Sequence, residues 1–157
     1  MKTMNIIRLL ISLSLPLLIG AVSGFFTSNA IPVWYASLTS PAISPPNWIF
    51  GPVWTVLYIL MGVSFYLIWC QPASKAKSWA LAVYFIQLLL NFAWSFFFFY
   101  FKHIGLALMD IVILWLCIPV MISLFYRIKP AAAYINIPYF LWVSFATILN
   151  AAFFKLN

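Results

Sequence analysis

The sequence predicts an all-α membrane protein, a bundle of five transmembrane helices that forms a single domain over residues 1–157. First, 67% of the residues are apolar and 6% are charged, whereas a soluble domain carries about 25% charged residues. Second, the apolar residues fall into five runs, each near the ~20 residues that a helix needs to cross a bilayer. Third, the basic residues lie mostly in the short segments that flank these runs, as the loop charges of membrane proteins do.

The first span is predicted over residues 6–26. A basic start with Lys2 and Arg8, followed by an apolar run, is also typical of a signal peptide. The run is too long for the apolar core of such a peptide, and Phe25 and Phe26 occupy the place where small residues precede cleavage. A retained helix is therefore the favoured interpretation.

Residues 27–47 are predicted to form a lid loop over one end of the bundle. Four prolines that interrupt a helix fall in this segment: Pro32, Pro41, Pro45 and Pro46. The segment has no charged residue, and it contains Trp34 and Tyr35. A loop of this composition is expected to pack on the bundle or to lie at the membrane interface.

The remaining spans are separated by short polar or basic turns, and Pro52 is tolerated because it falls in the first turns of the second span. These four spans are predicted at 48–70, 78–100, 105–126 and 134–154.

The orientation follows from the distribution of basic residues over the two ends of the bundle. One side holds Lys2, Arg8, Lys75, Lys77, Arg127 and Lys129, and the other holds Lys102 and Lys155. Because cytoplasmic loops are enriched in Lys and Arg, the amino terminus is expected inside and the carboxyl terminus outside.

The scarcity of ionisable groups excludes most enzyme classes. Asp110 is the only acidic residue and His103 the only histidine. A carboxylate pair, an acidic metal site, a His-based zinc site and a Ser-His-Asp triad therefore cannot be assembled, and no metal is expected. Cys70 and Cys117 lie in apolar runs and are interpreted as core residues. The scattered basic residues do not indicate a nucleic-acid site.

Polar and aromatic residues recur at spacings of three and four, which places them on single faces of three helices. These stripes are Trp54, Tyr58 and Met61; Tyr84, Gln87, Asn91, Trp94 and Phe98; and Tyr139, Trp142, Ala146 and Asn150. Counted from the helix ends, Trp54, Asn91, Asp110 and Asn150 lie in the half of the bundle beneath the lid loop, and Trp142 would form a floor, which together describe a lidded cavity. Such a cavity suits a large, flat, mostly apolar ligand. Spacing alone favours the alternative, that the stripes are ordinary helix packing.

Gly20 and Gly24 form a GxxxG pattern in the first span. The pattern permits close helix contact, and a dimer face and internal packing are equally open interpretations.

The chain resembles the TspO/MBR family, whose members are also called translocator proteins, tryptophan-rich sensory proteins and peripheral benzodiazepine receptors. The resemblance is carried, in one register over nearly the whole chain, by Trp34-Tyr35, Pro41, Pro45-Pro46, Trp48, Pro52-Val53-Trp54, Leu57-Tyr58, Met61-Gly62, Tyr84, Gln87-Leu88, Asn91, Trp94, Phe97-Phe98, Gly105, Ala107-Leu108, Asp110, Pro138-Tyr139, Trp142, Phe145-Ala146-Thr147 and Leu149-Asn150.

The resemblance implies a five-helix homodimer among membrane lipids, with a pocket under the first loop that binds a porphyrin such as protoporphyrin IX as ligand and no other cofactor. It implies a receptor or sensor, with light- and oxygen-dependent porphyrin degradation, or transport of tetrapyrroles or lipids, as alternatives. The implied pocket residues are Tyr35, Pro45, Trp54, Asn91, Trp94, Ser95, Asp110, Trp142 and Ala146. Among these, Trp54 and Trp142 match the tryptophans tied to porphyrin breakdown in the family.

One departure from the family concerns sterols. Animal members carry a sterol-recognition pattern late in helix five, and Ala151 stands where its tyrosine would be. Sterol binding is therefore doubtful, and the short tail after Lys155 fits a bacterial member.

Overall fold

The computed structural model describes residues 5–157, and it confirms the bundle of five membrane-spanning helices. Within this range the secondary structure is helical without strands. The five spans are Ile6–Tyr35, Asn47–Trp69, Lys75–Tyr100, Ile104–Ile128 and Pro130–Leu156. Lys2, which contributes to the predicted orientation, lies outside the described residues, and the orientation stays a prediction.

These spans contain six α-helices, and the first three spans are completed by a π-helical turn (Ile31–Tyr35), a 3-10 turn (Asn47–Ile49) and a second π-helical turn (Phe96–Tyr100). The α-helices are α1 (Ile6–Ala30), α2 (Phe50–Trp69), α3 (Lys75–Ser95), α4 (Ile104–Ile128), α5 (Pro130–Tyr134) and α6 (Ile137–Leu156). The short α5 and the long α6 together form the fifth span. Around the bundle, α1 packs on α2 and α3, α3 packs on α4, α4 packs on α5 and α6, and α5 returns to α2.

The lid loop is shorter than the predicted 27–47, because Pro32 does not end the first span. The α-helix passes into a π-helical turn, Ile31–Tyr35, with Pro32 as its second residue. In a π turn the ladder bonds reach one residue further, as in the bond from the Ala36 N–H to the Ile31 carbonyl, so the wider turn accommodates the missing N–H of proline. Helical structure then continues to Ser37, which leaves residues 38–46 as the lid loop.

Side chains supply the hydrogen bonds that the helix ends lack. Asn5 Oδ1 accepts from the Arg8 N–H at 3.1 Å, and Ser74 Oγ accepts from the Lys77 N–H at 3.1 Å. Lys77 Nζ in turn donates to the carbonyls of Trp69 and Gln71, both at 2.7 Å. The same lysine therefore closes the end of α2 and belongs to the first turn of α3, which fixes the tight turn between them.

Two glycines allow α1 and α2 to approach closely. A Cβ atom at Gly62 would lie 2.7 Å from the Ser12 carbonyl oxygen and 2.9 Å from Leu13 Cα, so only glycine fits there. A Cβ atom at Gly20 would lie 2.5 Å from the ring of Tyr58. Gly20, the first glycine of the GxxxG pattern, is thus used in packing within the chain; the dimer stays a prediction.

Gly62→Ala should lower the free energy of unfolding by about 1–3 kcal/mol, because the added methyl group must push the α1 backbone away. The matched control is Gly51→Ala on the same helix, where a Cβ atom would meet no atom within 4 Å. Thermal unfolding in detergent, followed by circular dichroism, measures both variants. Equal stability of the two variants would contradict the close contact between α1 and α2.

Candidate functional site

A cavity of about 590 Å³ lies beneath the lid loop, between α1, α2, α3 and α6. This volume falls in the range of small-molecule sites, about 300–1,000 Å³. Six of the residues implied by the resemblance line it: Tyr35, Trp54, Asn91, Trp94, Ser95 and Ala146. Most of the remaining wall is aliphatic or aromatic, so the cavity suits an apolar molecule.

A chain of hydrogen bonds begins at the floor of the cavity, which Tyr58 and Asn91 line. The Tyr58 hydroxyl donates to Asn91 Oδ1 at 2.6 Å, and Asn91 Nδ2 donates to the Tyr139 hydroxyl at 3.0 Å. Tyr139 then donates to Gln87 Oε1 at 2.8 Å. All four side chains are buried, and together they tie α2, α3 and α6 to one another. Because these partners satisfy one another, the floor holds its shape in an apolar surrounding.

Aromatic rings line the cavity above this floor. The Trp54 ring stacks on Tyr58 with centroids 5.5 Å apart and an interplanar angle of 29°. The Trp94 ring stacks on Phe98 at 5.4 Å, and its Nε1 donates to Asn150 Oδ1 at 2.9 Å. Asn150 Nδ2 donates to the Ile104 carbonyl at 3.2 Å, so each indole is fixed by its neighbours. The two indoles are thus held in fixed orientations, and they offer flat surfaces on which a planar ligand can stack.

The lid loop is fastened to the end of α6. Asn157 Oδ1 accepts from the Thr39 N–H at 2.8 Å, and Asn157 Nδ2 donates to the Thr39 carbonyl at 3.2 Å. Beside this clasp, the Tyr35 ring packs on Phe153 with centroids 5.3 Å apart. The amide clasp therefore holds the lid loop against the end of α6, and the packing of Tyr35 on Phe153 covers the lid end of the cavity, which both residues line.

Three of the nine implied residues do not line the cavity: Pro45, Asp110 and Trp142. Pro45 is half-buried within the lid loop. Asp110 is 6% exposed on α4, a helix that contributes nothing to the wall, and its Oδ2 has no hydrogen-bond partner among residues 5–157.

Trp142 lies in a separate apolar groove between α2 and α6, so the prediction that it floors the cavity was wrong. Its ring packs on Phe50 at 6.0 Å, while Trp54 packs on Tyr139 at 6.4 Å. The first turn of α2 is therefore level with Trp142. The predicted depth of Trp142 was counted from the end of its own helix, and it was wrong because the ends of α2 and α6 do not lie in one plane.

The sequence analysis did not predict that α1 contributes a wall of the cavity. Besides Leu17, this wall consists of small and polar residues at helical spacing: Gly20, Ala21, Ser23, Gly24, Thr27 and Ser28. Ser23 is 5% exposed, and its hydroxyl has no hydrogen-bond partner in the described part of the chain. The sequence signal for this wall was the GxxxG pattern itself, which was interpreted only as a surface for helix contact.

Comparisons with known proteins cover nearly the whole chain. Residues 12–156 match the model of the TspO/MBR family. The tryptophan-rich protein TspO of Archaeoglobus fulgidus is 38% identical over 154 residues, which is 98% of this chain and 99% of that protein. The human translocator protein is 36% identical over 126 residues, 79% of this chain and 75% of that protein. The tryptophan-rich sensory protein of Cereibacter sphaeroides is 32% identical over 124 residues, 79% and 77% respectively.

Asn157→Ala should loosen the lid loop, because it removes both hydrogen bonds to Thr39. Losing about 1.4 kcal/mol of local stabilisation corresponds to tenfold faster amide exchange. Hydrogen exchange with mass spectrometry, on peptides that cover residues 38–46, measures this. The control is Lys155→Ala at an exposed position of the same helix end, and identical exchange in both variants would disprove the clasp.

Proposed function

The chain belongs to the TspO/MBR family, and from this premise we propose that it is a membrane receptor or sensor that binds a porphyrin, of the protoporphyrin IX class, within its helix bundle. The observation that carries the proposal is the aromatic cavity with its self-satisfied polar floor. A flat, rigid and mostly apolar ring system is the kind of molecule that packs against the indoles of Trp54 and Trp94 without needing polar partners at every edge.

The charges of the wall favour one orientation of such a ligand. In the part of the chain that the structure describes, no Lys, Arg or His side chain lines the cavity. A carboxylate placed on the floor would be desolvated without a cation, which costs several kcal/mol. The carboxylate edge of a porphyrin is therefore expected at the lid end of the cavity, near Thr27 and Tyr35, and its apolar edge against the floor.

Light- and oxygen-dependent degradation of the bound porphyrin is a second candidate function. It is favoured by Trp54, whose indole lines the cavity and so would lie beside a bound ring. An indole next to an illuminated porphyrin can be photo-oxidised. Trp142 is less well placed for this chemistry, because it lies in the groove outside the cavity.

Protoporphyrin IX should quench the tryptophan fluorescence of the purified protein with a saturable isotherm. Gly24→Leu should raise the Kd at least tenfold, about 1.4 kcal/mol, because Gly24 lines the cavity and meets no atom within 4 Å, so the new side chain fills ligand space. Ala151→Leu, exposed on α6 and outside the cavity wall, is the matched control. Equal affinity of both variants would show that the ligand binds elsewhere.

If the protein degrades porphyrin, illumination in oxygenated buffer should bleach the bound ligand faster than ligand in empty micelles. Trp54→Phe should slow bleaching at least tenfold, and Trp142→Phe should slow it by less than about threefold. These factors correspond to barrier changes of about 1.4 and 0.7 kcal/mol. Absorbance spectra in light and in darkness give the rates. Bleaching that is no faster with protein than in micelles would remove this second function.

A further inference from the structure

The two helices that approach closely at Gly62 separate toward the lid end. At Gly62 and Gly20 an added Cβ atom would collide with the neighbouring helix, at 2.7 Å and 2.5 Å. At Gly24 on α1 and Gly51 on α2, an added Cβ atom would find no atom within 4 Å. The pair α1 and α2 is therefore a wedge, tight at one end and open at the other.

The cavity opens through this wedge. Its wall on α3 and α6 is closed, as Asn91 and Asn150 are 3% and 2% exposed. Its wall on α1 and α2 includes exposed residues, among them Ala21, Gly24, Gly51 and Thr55, and Trp48, in the 3-10 turn that precedes α2, is 73% exposed. Because the wall is exposed on the α1 and α2 side and buried on the α3 and α6 side, the exposed side indicates a lateral opening.

The opening lies at the depth of the membrane rather than in the loops. On α1, Gly24 is about 16 Å from Tyr35 along the first span, at ~1.5 Å per residue. On α2, the first turn, which contains Gly51, packs on Trp142, about 21 Å below Leu156 along α6. Two hydroxyls of the wall at this opening are satisfied within their own helices: Thr55 Oγ1 donates to the Gly51 carbonyl at 2.9 Å, and Ser28 Oγ donates to the Phe25 carbonyl at 2.9 Å. Neither hydroxyl needs water, so these edges are compatible with lipid.

We infer that the ligand enters and leaves the cavity sideways, from the bilayer, through the gap between Ala21 and Ser28 of α1 and Gly51 and Thr55 of α2. The inference rests on the proposed function and names the source of the ligand. That ligand is a flat, apolar ring system already dissolved in the membrane, and it carries a polar atom able to pair with the buried, unpartnered hydroxyl of Ser23. The route through the lid end is obstructed by the contact of Tyr35 with Phe153, beside which the Thr39–Asn157 clasp holds the lid loop.

A reversible crosslink across the gap tests this route. In a background with Cys70→Ala and Cys117→Ala, Ser28→Cys and Gly51→Cys are introduced, since the register of the Gly20–Tyr58 contact brings these two positions opposite one another. The protein is placed in nanodiscs, saturated with protoporphyrin IX and joined with a short, reducible bis-thiol reagent. Dissociation into excess empty nanodiscs should slow at least tenfold, and reduction should restore the rate.

The control crosslink pins the lid loop instead, through Thr39→Cys and Asn157→Cys in the same background. It should leave the dissociation rate within twofold of the uncrosslinked protein. A side crosslink that leaves the rate within twofold, or a lid crosslink that slows it tenfold, overturns the lateral route. Absence of saturable binding before any crosslinking would instead contradict the proposed function.

A second measurement needs no porphyrin. In the same cysteine-free background, the Gly24→Cys thiol in nanodiscs should react with an apolar maleimide dissolved in the bilayer at least tenfold faster than with a charged, membrane-impermeant maleimide. Preferential reaction with the charged reagent would place the opening in water and overturn the inference, whatever the outcome of the binding experiments.

Discussion

The structure depends on one constraint, that a polar side chain inside a bilayer is costly unless it finds its hydrogen bonds within the protein. Asn91 meets it by accepting from Tyr58 and donating to Tyr139. Such bonds between transmembrane helices contribute only about 0.6 kcal/mol each on average, so their main effect is on geometry. One amide, with partners on two other helices, sets the spacing of α2, α3 and α6, and that spacing leaves the cavity above it.

The first helix makes the cavity possible because it contributes so little to the core. Its buried residues are Ser12, Pro16 and Ser23, none of them large. Gly62 of α2 lets the two helices lie close together, whereas beside the space below the lid loop α1 presents mainly small residues next to Leu17, which leave that space unfilled. Had this face carried leucines at the same spacing, the bundle would have packed solid, as the interpretation of the stripes as plain helix packing assumes.

Sequence reasoning reached those features that follow from composition and helical period. Hydropathy identified five spans, and the spacing of Gln87, Asn91 and Trp94 placed them on a face that does point inward. It failed where the answer depends on relations between helices. Periodicity gives the direction of Trp142 on its own helix, but the relative heights of α2 and α6 decide what it meets. Likewise, Pro32 is expected to end a helix only where the backbone hydrogen bonds keep the α-helical pattern. In this chain they change to a π-helical pattern over Ile31–Tyr35, and the helix continues.

The scarcity of charged residues, which identifies the chain as a membrane protein, also determines how the lid end is closed. With Asp110 as the only acidic residue, the chain can form at most one ion pair between side chains, so charge attraction cannot hold the lid loop in place. Aromatic contacts and an amide clasp take that role, and each of these contributes about 1 kcal/mol. A closure made of such modest interactions keeps the lid loop in place, but it is not by itself a strong barrier to the passage of a ligand. What makes a lateral route preferable for an apolar ligand is the medium it crosses, since a molecule already dissolved in lipid reaches the gap between α1 and α2 without entering water.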